Sequence, residues 1–429
     1  MRDPVVVVRG GTVLDATGER QADVVVEGGR VVAIEEGAAV PRRATVLDAG
    51  GCVVAPGLVD LHSHLRQPGA EESETVESGA RAAALGGYTA VVAMPNTDPP
   101  VDSASVVRDV RSLARGVPCH VAVAGAITVG RAGERLAPMA ELAALGVRIF
   151  TDDGAGVQSA SVMRRALEYA RGLGVTLAQH CEEATLAAGG VMHEGAVSSR
   201  LGLAGVPALA EELMVVRDLA LVRETGARLH LLHLSTAAAL AALSDAKRAG
   251  LPVTAEVTPH HFTLTDAALV GFDPVFKVNP PLRPASDVAA VRAALADGTA
   301  DAIATDHAPH PPEAKDRPLD EAPPGMLGLE TALALALTEL EVPLSRVLAL
   351  LSWQPAAIAG LAPDHGGPVA PGAAANLCVL DPDHPWVVDP ASSASRSRNT
   401  PYAGRRLRAK VRHTVLAGEP VVVDGEAQR

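Results

Sequence analysis

Two histidines separated by one residue, His62 and His64, with Arg66 two positions further on, are the groups in this sequence best placed to do chemistry. They end the segment Asp60-Leu61-His62-Ser63-His64-Leu65-Arg66, which follows an apolar run beginning at Cys52 and bounded by turn residues. Such a run reads as a buried parallel strand. Side chains at i and i+2 of a strand share a face, so both imidazoles point the same way. There they can hold one metal ion at ~2.0–2.1 Å. Arg66, on the same face, projects a fixed cation toward whatever sits beside the metal. A lone His-x-His pair is equally compatible with two incidental histidines, so the elements around it must decide.

From residue 56 to 364 strand-like runs alternate with Ala/Leu/Arg/Glu-rich helices. The expected strands are 53–61, 89–94, 120–124, 147–150, 175–178, 228–232, 253–257 and 302–305, with helices such as 103–114 and 210–223 between them. Eight β/α repeats over ~300 residues match an α/β fold of the (β/α)₈ TIM-like barrel type. A doubly wound sheet fits less well, because no GxGxxG follows a first strand. Residues 5–55 show short valine-rich strands between Gly10-Gly11 and Gly28-Gly29 turns and no helical period, which predicts a small antiparallel β unit. Glycine-punctuated strands return after 365, at 375–380 and 413–418. The ends resemble each other and not the middle. Segments 1–55 and 365–429 are therefore expected to build one small β-sandwich beside a 56–364 barrel.

Active groups of such a barrel come from the C-terminal ends of its strands. The second expected strand ends in Met94-Pro95-Asn96-Thr97 and the fourth in Phe150-Thr151-Asp152-Asp153-Gly154. The fifth ends in Gln179-His180-Cys181-Glu182, the sixth in Leu232-His233-Leu234-Ser235, and the eighth in Thr305-Asp306-His307-Ala308-Pro309-His310. Potential metal ligands thus recur at one rim. Four histidines and two aspartates exceed the needs of one tetrahedral zinc. They suit two divalent ions ~3.5–4 Å apart with a bridging carboxylate and water. Ions so placed bring a water's pKa toward ~7 and polarise a carbonyl. Asp306 is placed to take the water's proton and pass it to a leaving nitrogen, help typically worth ~10²–10⁴ in rate.

The other candidates read as structural. His230 is on the opposite strand face from His233 by parity. His260 and His261 end the seventh strand, and His193, His365, His384 and His413 read as surface residues. Cys181 reads as an apolar neighbour within the barrel and Trp353 as a packing residue. The proline-rich 311–324 segment follows the eighth strand, and a long loop there is more often functional than accidental.

Bulk properties narrow the function further. A chain of 429 residues suits one large domain and a smaller one. It is 48% hydrophobic but only 2% aromatic, so its core must be built of Ala, Val and Leu. The net charge of −13 repels phosphate backbones, which argues against nucleic acid. The Arg405-Arg406-Leu407-Arg408 cluster reads as a solvated face. Four dispersed cysteines with no CxxC pair suit a reduced, cytoplasmic protein. No 18-residue apolar stretch or signal h-region is present, so no membrane partner is expected.

At this point the residues resemble a family. Asp-x-His-x-His, a fifth-strand His, a sixth-strand His and an eighth-strand Asp are similar to the amidohydrolase superfamily. Asp60-Leu61-His62-Ser63-His64-Leu65-Arg66-Gln67-Pro68-Gly69 resembles the class I bacterial dihydroorotase motif. So do Met94–Thr97, Phe150–Gly154, Lys277-Val278-Asn279-Pro280-Pro281-Leu282-Arg283 and the 305–310 segment. The resemblance spans nearly the whole chain. It implies zinc, one or two ions per subunit with two favoured, held by His62, His64, Asp153, His180, His233 and Asp306. It implies Asp306 as the catalytic acid–base, and reversible hydrolysis of L-dihydroorotate to N-carbamoyl-L-aspartate in pyrimidine synthesis.

Hydantoinases, dihydropyrimidinases and allantoinases share this resemblance but bridge their metals with a carbamylated fourth-strand lysine. The only lysines here are Lys247, Lys277, Lys315 and Lys410, all after the sixth strand. The class I enzymes use an aspartate instead, which motif alignment places at Asp153. Strand parity turns Asp152 away, unless the strand ends early and the two exchange.

The resemblance further implies that His64, Arg66, Asn96 and His310 line the substrate site. Arg66 would grip a carboxylate through a bidentate pair. Asn279 and backbone groups at Pro324 and Gly325 would contact the ring amide, under a closing 311–324 loop. Two departures stand out: relatives often have Phe at Pro324, and Asn-Pro-Ala where this chain has Gln354-Pro355-Ala356. A homodimer and a complex with aspartate transcarbamoylase are the assemblies the resemblance allows. The rival readings are another cyclic amidohydrolase and a non-catalytic partner of the transcarbamoylase.

Overall fold

The structure is a computed structural model describing residues 5–429. The fold is mixed α/β. Eight strands pair in parallel: Leu58–Ser63, Tyr88–Ala93, His120–Val123, Ile149–Thr151, Thr176–Gln179, Leu229–Leu231, Val253–Val257 and Ala302–Ile303. The first three form one sheet and the last five another. Single parallel bridges join the two groups at both ends, Gly125 with Phe150 and Ser63 with His307. Helices follow most strands, among them Ala104–Leu113 and Leu209–Thr225.

Alternation along the strands sorts the core into two layers. Leu61, Val92, Ala124, Ile149, Ala178 and Ala302 pack together between the strands. Leu58, Val91, Val123, Phe150 and Leu177 instead pack with the helices. Burying one such Val, Leu or Phe stabilises by roughly 1.5–3 kcal/mol.

The apolar run at 53–61 is two strands and not one. Val53–Pro56 pairs antiparallel with the strand Leu377–Val387, and only Leu58–Ser63 joins the parallel set. The break is Gly57, where a Cβ would lie 2.2 Å from Thr89 Cγ2. Its N–H donates to Asn376 O at 2.9 Å. Both halves are buried, so hydrophobicity carries no sign of the break.

The terminal segments share a seven-stranded sheet. Thr12–Asp15, Gly18–Gln21 and Val53–Pro56 lie beside Leu377–Val387, Arg406–Leu416, Glu419–Val423 and Glu426–Ala427. A second sheet of four strands holds Val5–Arg9 between Asp23–Glu27 and Thr45–Asp48, with Arg30–Glu35 at its edge. Val6, Val24 and Leu47 of this sheet share a core with Val13, Val54, Leu377 and Val415 of the first. The N-terminal unit is not purely antiparallel as expected. Val5–Arg9 runs parallel to Thr45–Asp48, and Thr12–Asp15 parallel to Val53–Pro56. Gly28-Gly29 does make a hairpin. The later strands, however, return after long excursions, and glycine spacing says nothing about their direction.

The basic cluster is solvated as expected, with Arg406 and Arg408 exposed, but the surface reading of three histidines fails, because polar side chains cross between segments distant in sequence. Arg405 pairs with Glu339, and Arg408 Nε donates to Leu337 O at 2.8 Å. The basic cluster thus caps the end of the helix Ala332–Glu339, whose last carbonyls lack intrahelical donors. His193, His365 and His413 are buried. His193 Nδ1 lies 3.2 Å from Arg283 Nη1, His365 Nδ1 lies 3.1 Å from Thr89 Oγ1, and His413 Nε2 lies 2.9 Å from Asp48 O. His384 is exposed, Cys181 is buried, and Trp353 packs against the main core, as expected. No helix among the described residues is long and apolar enough to cross a membrane.

Candidate active site

The strand ends bring His62, His64, Asp153, His180, His233 and Asp306 into one buried cluster. Pairing with the second strand shifts register between Asp60 and Ser63, so the His-x-His segment arrives on irregular backbone and not on the ideal pleat expected. Asp153 stands at the centre. Its Oδ2 lies 3.4 Å from His62 Nε2 and 3.5 Å from His64 Nε2. Its Oδ1 lies 3.7 Å from His180 Nδ1 and 3.6 Å from His233 Nε2. One carboxylate oxygen therefore faces each histidine pair. Asp306 Oδ1 lies 3.0 Å from His64 Nε2 and 3.5 Å from His62 Nε2, so it joins the first pair only. Asp152 faces the other way, as strand parity predicts. It accepts the N–H groups of Ile127 and Thr128 at 2.8 and 3.0 Å.

Two partners fix the first pair. His62 Nδ1 lies 2.9 Å from Glu256 Oε1, and His64 Nδ1 lies 2.9 Å from Asn96 Oδ1. Both oxygens accept, so both Nδ1 atoms donate and both Nε2 atoms are left facing Asp153. Glu256 is in turn held by His230 Nε2 at 3.0 Å, and His230 Nδ1 by Thr254 Oγ1 at 2.8 Å. Burial opposes ionisation of Glu256, but the hydrogen bonds from His230 and His62 win and bring it down to about 2. His230 is thus no ligand, in line with parity, yet it supports one.

The cluster fits a metal on its own chemistry. His62 Nε2 is fully buried with no hydrogen-bond partner among the described residues. His180 Nδ1 and His233 Nε2 approach to 3.0 Å. Nitrogen and carboxylate donors converging in this way suit a borderline divalent ion. Burial works against charge on both His62 and Asp153. Even so, the Asp153 and Asp306 charges lift His62 well above its ordinary range, and His62 holds Asp153 well below its own.

The backbone is held in uncommon conformations here. His233 has φ 33°, Asp306 φ 45° and Arg66 φ 61°. Non-glycine residues in this region are rare and cluster at functional sites. Arg66 therefore reaches the site from a left-handed turn beyond the strand, and not by the alternation expected. Asp60 ties the first strand to the eighth by accepting Thr305 N and Thr305 Oγ1, each at 2.7 Å, which places Asp306.

Over the cluster lies a cavity of about 190 Å³. His64, Arg66, Asn96, Asn279, His310, Pro324 and Gly325 all line it, and His62 sits outside its lining. Arg66 Nε donates to Pro309 O at 3.2 Å and Arg66 Nη2 lies 3.4 Å from His310 Nε2. Any bidentate grip must therefore come from the Nη groups. Burial and the Arg66 charge bring His310 down to about 3, so it is neutral. Its Nε2 then donates to Pro324 O at 2.8 Å. Asn279 Nδ2 donates to Glu182 Oε1 at 3.2 Å. At Gly325, φ is +136° and a Cβ would lie 2.9 Å from His310 Nε2.

Sequence reasoning missed Glu256, Glu182 and the Asp60–Thr305 tie. Only Glu256 left a trace: a lone carboxylate inside the buried Val-Thr-Ala-Glu-Val strand needs a partner.

Comparison with known proteins bears directly on this cluster. A family model described as dihydro-orotase-like matches residues 51–239. A dihydroorotase from Pelotomaculum thermopropionicum is 48% identical over 97% of this chain and 98% of that protein. The chain belongs to the dihydroorotase family. Another relative with that name, from Mycobacterium tuberculosis, is 49% identical over 95% of this chain and 96% of its own length. Among solved structures, an L-hydantoinase (dihydropyrimidinase) from Arthrobacter aurescens superposes with a TM-score of 0.89 at 26% identity. The match covers 100% of this chain and 98% of that one. A dihydropyrimidinase from Brevibacillus agri matches at 0.87 and 23% identity, over 99% of this chain and 96% of that one, which speaks to fold alone. Family membership brings metal dependence with it, and the two His/Asp groups that share Asp153 are where a metal fits.

Proposed function

We propose that the chain is a zinc dihydroorotase with two ions per subunit, interconverting L-dihydroorotate and N-carbamoyl-L-aspartate. The observation that carries the two-ion reading is the placement of Asp153, one oxygen toward each histidine pair. His62, His64 and Asp306 would hold one ion, and His180 and His233 the other, with Asp153 shared. When bound, such ions activate a water and polarise the amide carbonyl. The residues do the rest. Asp306 takes the proton of the attacking water at its carboxylate and delivers it to the ring nitrogen as the amide bond breaks. Arg66, with Asn96 and His310 beside it, binds the substrate carboxylate, and His64 borders the same pocket. Asn279 and the backbone at Pro324 and Gly325 orient the ring amide.

We read the eight parallel strands, joined by the bridges at both ends, as a closed (β/α)₈ barrel over 56–364. The segments 1–55, of which residues 1–4 lie outside the described residues, and 365–429 are read as a β-sandwich, with the break at Gly57 as the physical boundary. A homodimer, a complex with aspartate transcarbamoylase and a cytoplasmic location belong to the same proposal.

The test is the purified, zinc-loaded protein with L-dihydroorotate. Ring opening is the expected result. Turnover of hydantoin or allantoin in its place would refute the assignment. A protein without bound zinc or turnover would favour the non-catalytic partner.

A further inference from the structure

Of 37 basic residues in this chain only four are lysines, and two of those four bridge the segments that carry the pocket-lining residues Asn279 and Pro323. Lys277 lies on the segment that carries Asn279, and Lys315 on the 311–324 loop. Lys277 Nζ donates to Leu319 O at 2.7 Å and Asp320 O at 3.0 Å, both on the loop. Lys315 Nζ donates back to Pro274 O at 3.1 Å, Lys277 O at 3.3 Å and Pro323 O at 2.8 Å. Lys277 O also accepts Gly325 N–H at 2.9 Å. Each segment thus supplies a lysine Nζ to the other's carbonyls, and two of the contacts end on Pro323 and Gly325, which wall the cavity.

Residue choice follows from geometry. A compact ammonium has three donors that a cage of carbonyls can satisfy, whereas a planar guanidinium cannot fill the same cage. In a chain that otherwise prefers arginine, three of the four lysines occupy such cages, and the fourth, Lys410, lies over the Trp386 ring. Lys247, remote from the pocket, shows the same pattern with Gly298 O, Thr299 O and Asp301.

We propose that Lys277 and Lys315 are positioning residues, a reciprocal latch that holds the 311–324 loop on the 274–279 segment and so sets the pocket wall that substrate meets. This rests on the reading of that pocket as the dihydroorotate site. Without the latch the loop samples open states, and substrate must select the closed one.

The experiment compares Lys277→Met, Lys315→Met, Lys315→Arg and Lys247→Met in the zinc-loaded full chain. Hydrogen exchange of the free protein is expected to speed up by about tenfold in residues 311–324 for both latch variants, with the parallel strands unchanged. The KM for L-dihydroorotate is expected to rise about tenfold with kcat within about threefold, and Lys315→Arg should not restore it. Lys247→Met should alter neither readout. Exchange and KM within about twofold of the unsubstituted protein in both latch variants would overturn the proposal. Equal effects in Lys247→Met would do the same. Should Lys277→Met fail to fold, Lys315→Met decides alone, because its side chain leaves the loop itself. An unsubstituted protein that does not open dihydroorotate refutes the functional reading, and the exchange result then still decides the latch.

Discussion

At His62 and His64 both distal ring nitrogens are tied down, one by Glu256 and one by Asn96, each at 2.9 Å. At His180 and His233 they are held more weakly or not at all. His180 Nε2 faces Asn279 Nδ2 at 3.5 Å and Glu182 Oε1 at 3.9 Å. His233 Nδ1 is buried with no hydrogen-bond partner among the described residues. Hydrogen bonds to the far nitrogen fix a ligating histidine's tautomer and orientation. The first pair is therefore more firmly oriented than the second. The second also lies beside Asn279, on the wall of the cavity. On the proposed two-ion reading, the contrast teaches that the first pair would hold its ion in a fixed place and the second would hold its own more loosely.

The largest expected effect removes the proposed acid–base group, which lies against the first pair. Asp306→Asn is expected to lower kcat by about 10²–10⁴ while leaving the fold intact, read by steady-state kinetics and circular dichroism. Unchanged rates would take Asp306 out of its role. Next comes the fixed pole. Glu256→Gln weakens the acceptor behind His62, and zinc affinity or activity should fall about 10–100-fold in competition with a chelator. The loose pole should respond least. Glu182→Gln is expected to change zinc retention by less than about tenfold, since its carboxylate lies beyond hydrogen-bond range of His180. A chelator titration of the unsubstituted protein should then release zinc in two steps, the weaker ion first. Equal losses from the Glu256 and Glu182 variants would erase the contrast.

The groups that meet in the buried cluster were largely legible in the sequence, because they end strands where an apolar run has no other use for His or Asp. His62, His64, Asp153, His180, His233 and Asp306 all fall into this class. The groups that hold them were not. Glu256 looks like any isolated carboxylate until His62 and His230 are seen on either side of it. Arg66 reaches the pocket through a positive φ that strand alternation cannot foresee. Gly57 divides a run whose two halves are equally apolar, and only the clash with Thr89 marks the boundary. His365 and His413 read as surface residues because their partners, Thr89 and Asp48, lie hundreds of residues away in sequence. Barrel-like periodicity is local and survives in the sequence; supporting contacts are long-range and do not.

A crystal structure of the zinc-loaded protein, with anomalous scattering recorded at the zinc edge, tests the central claim most directly. The account predicts two peaks on either side of Asp153, one beside His62 and His64 and the other beside His180 and His233. A single peak at full zinc loading, or Asp153 turned away from both pairs, would contradict it.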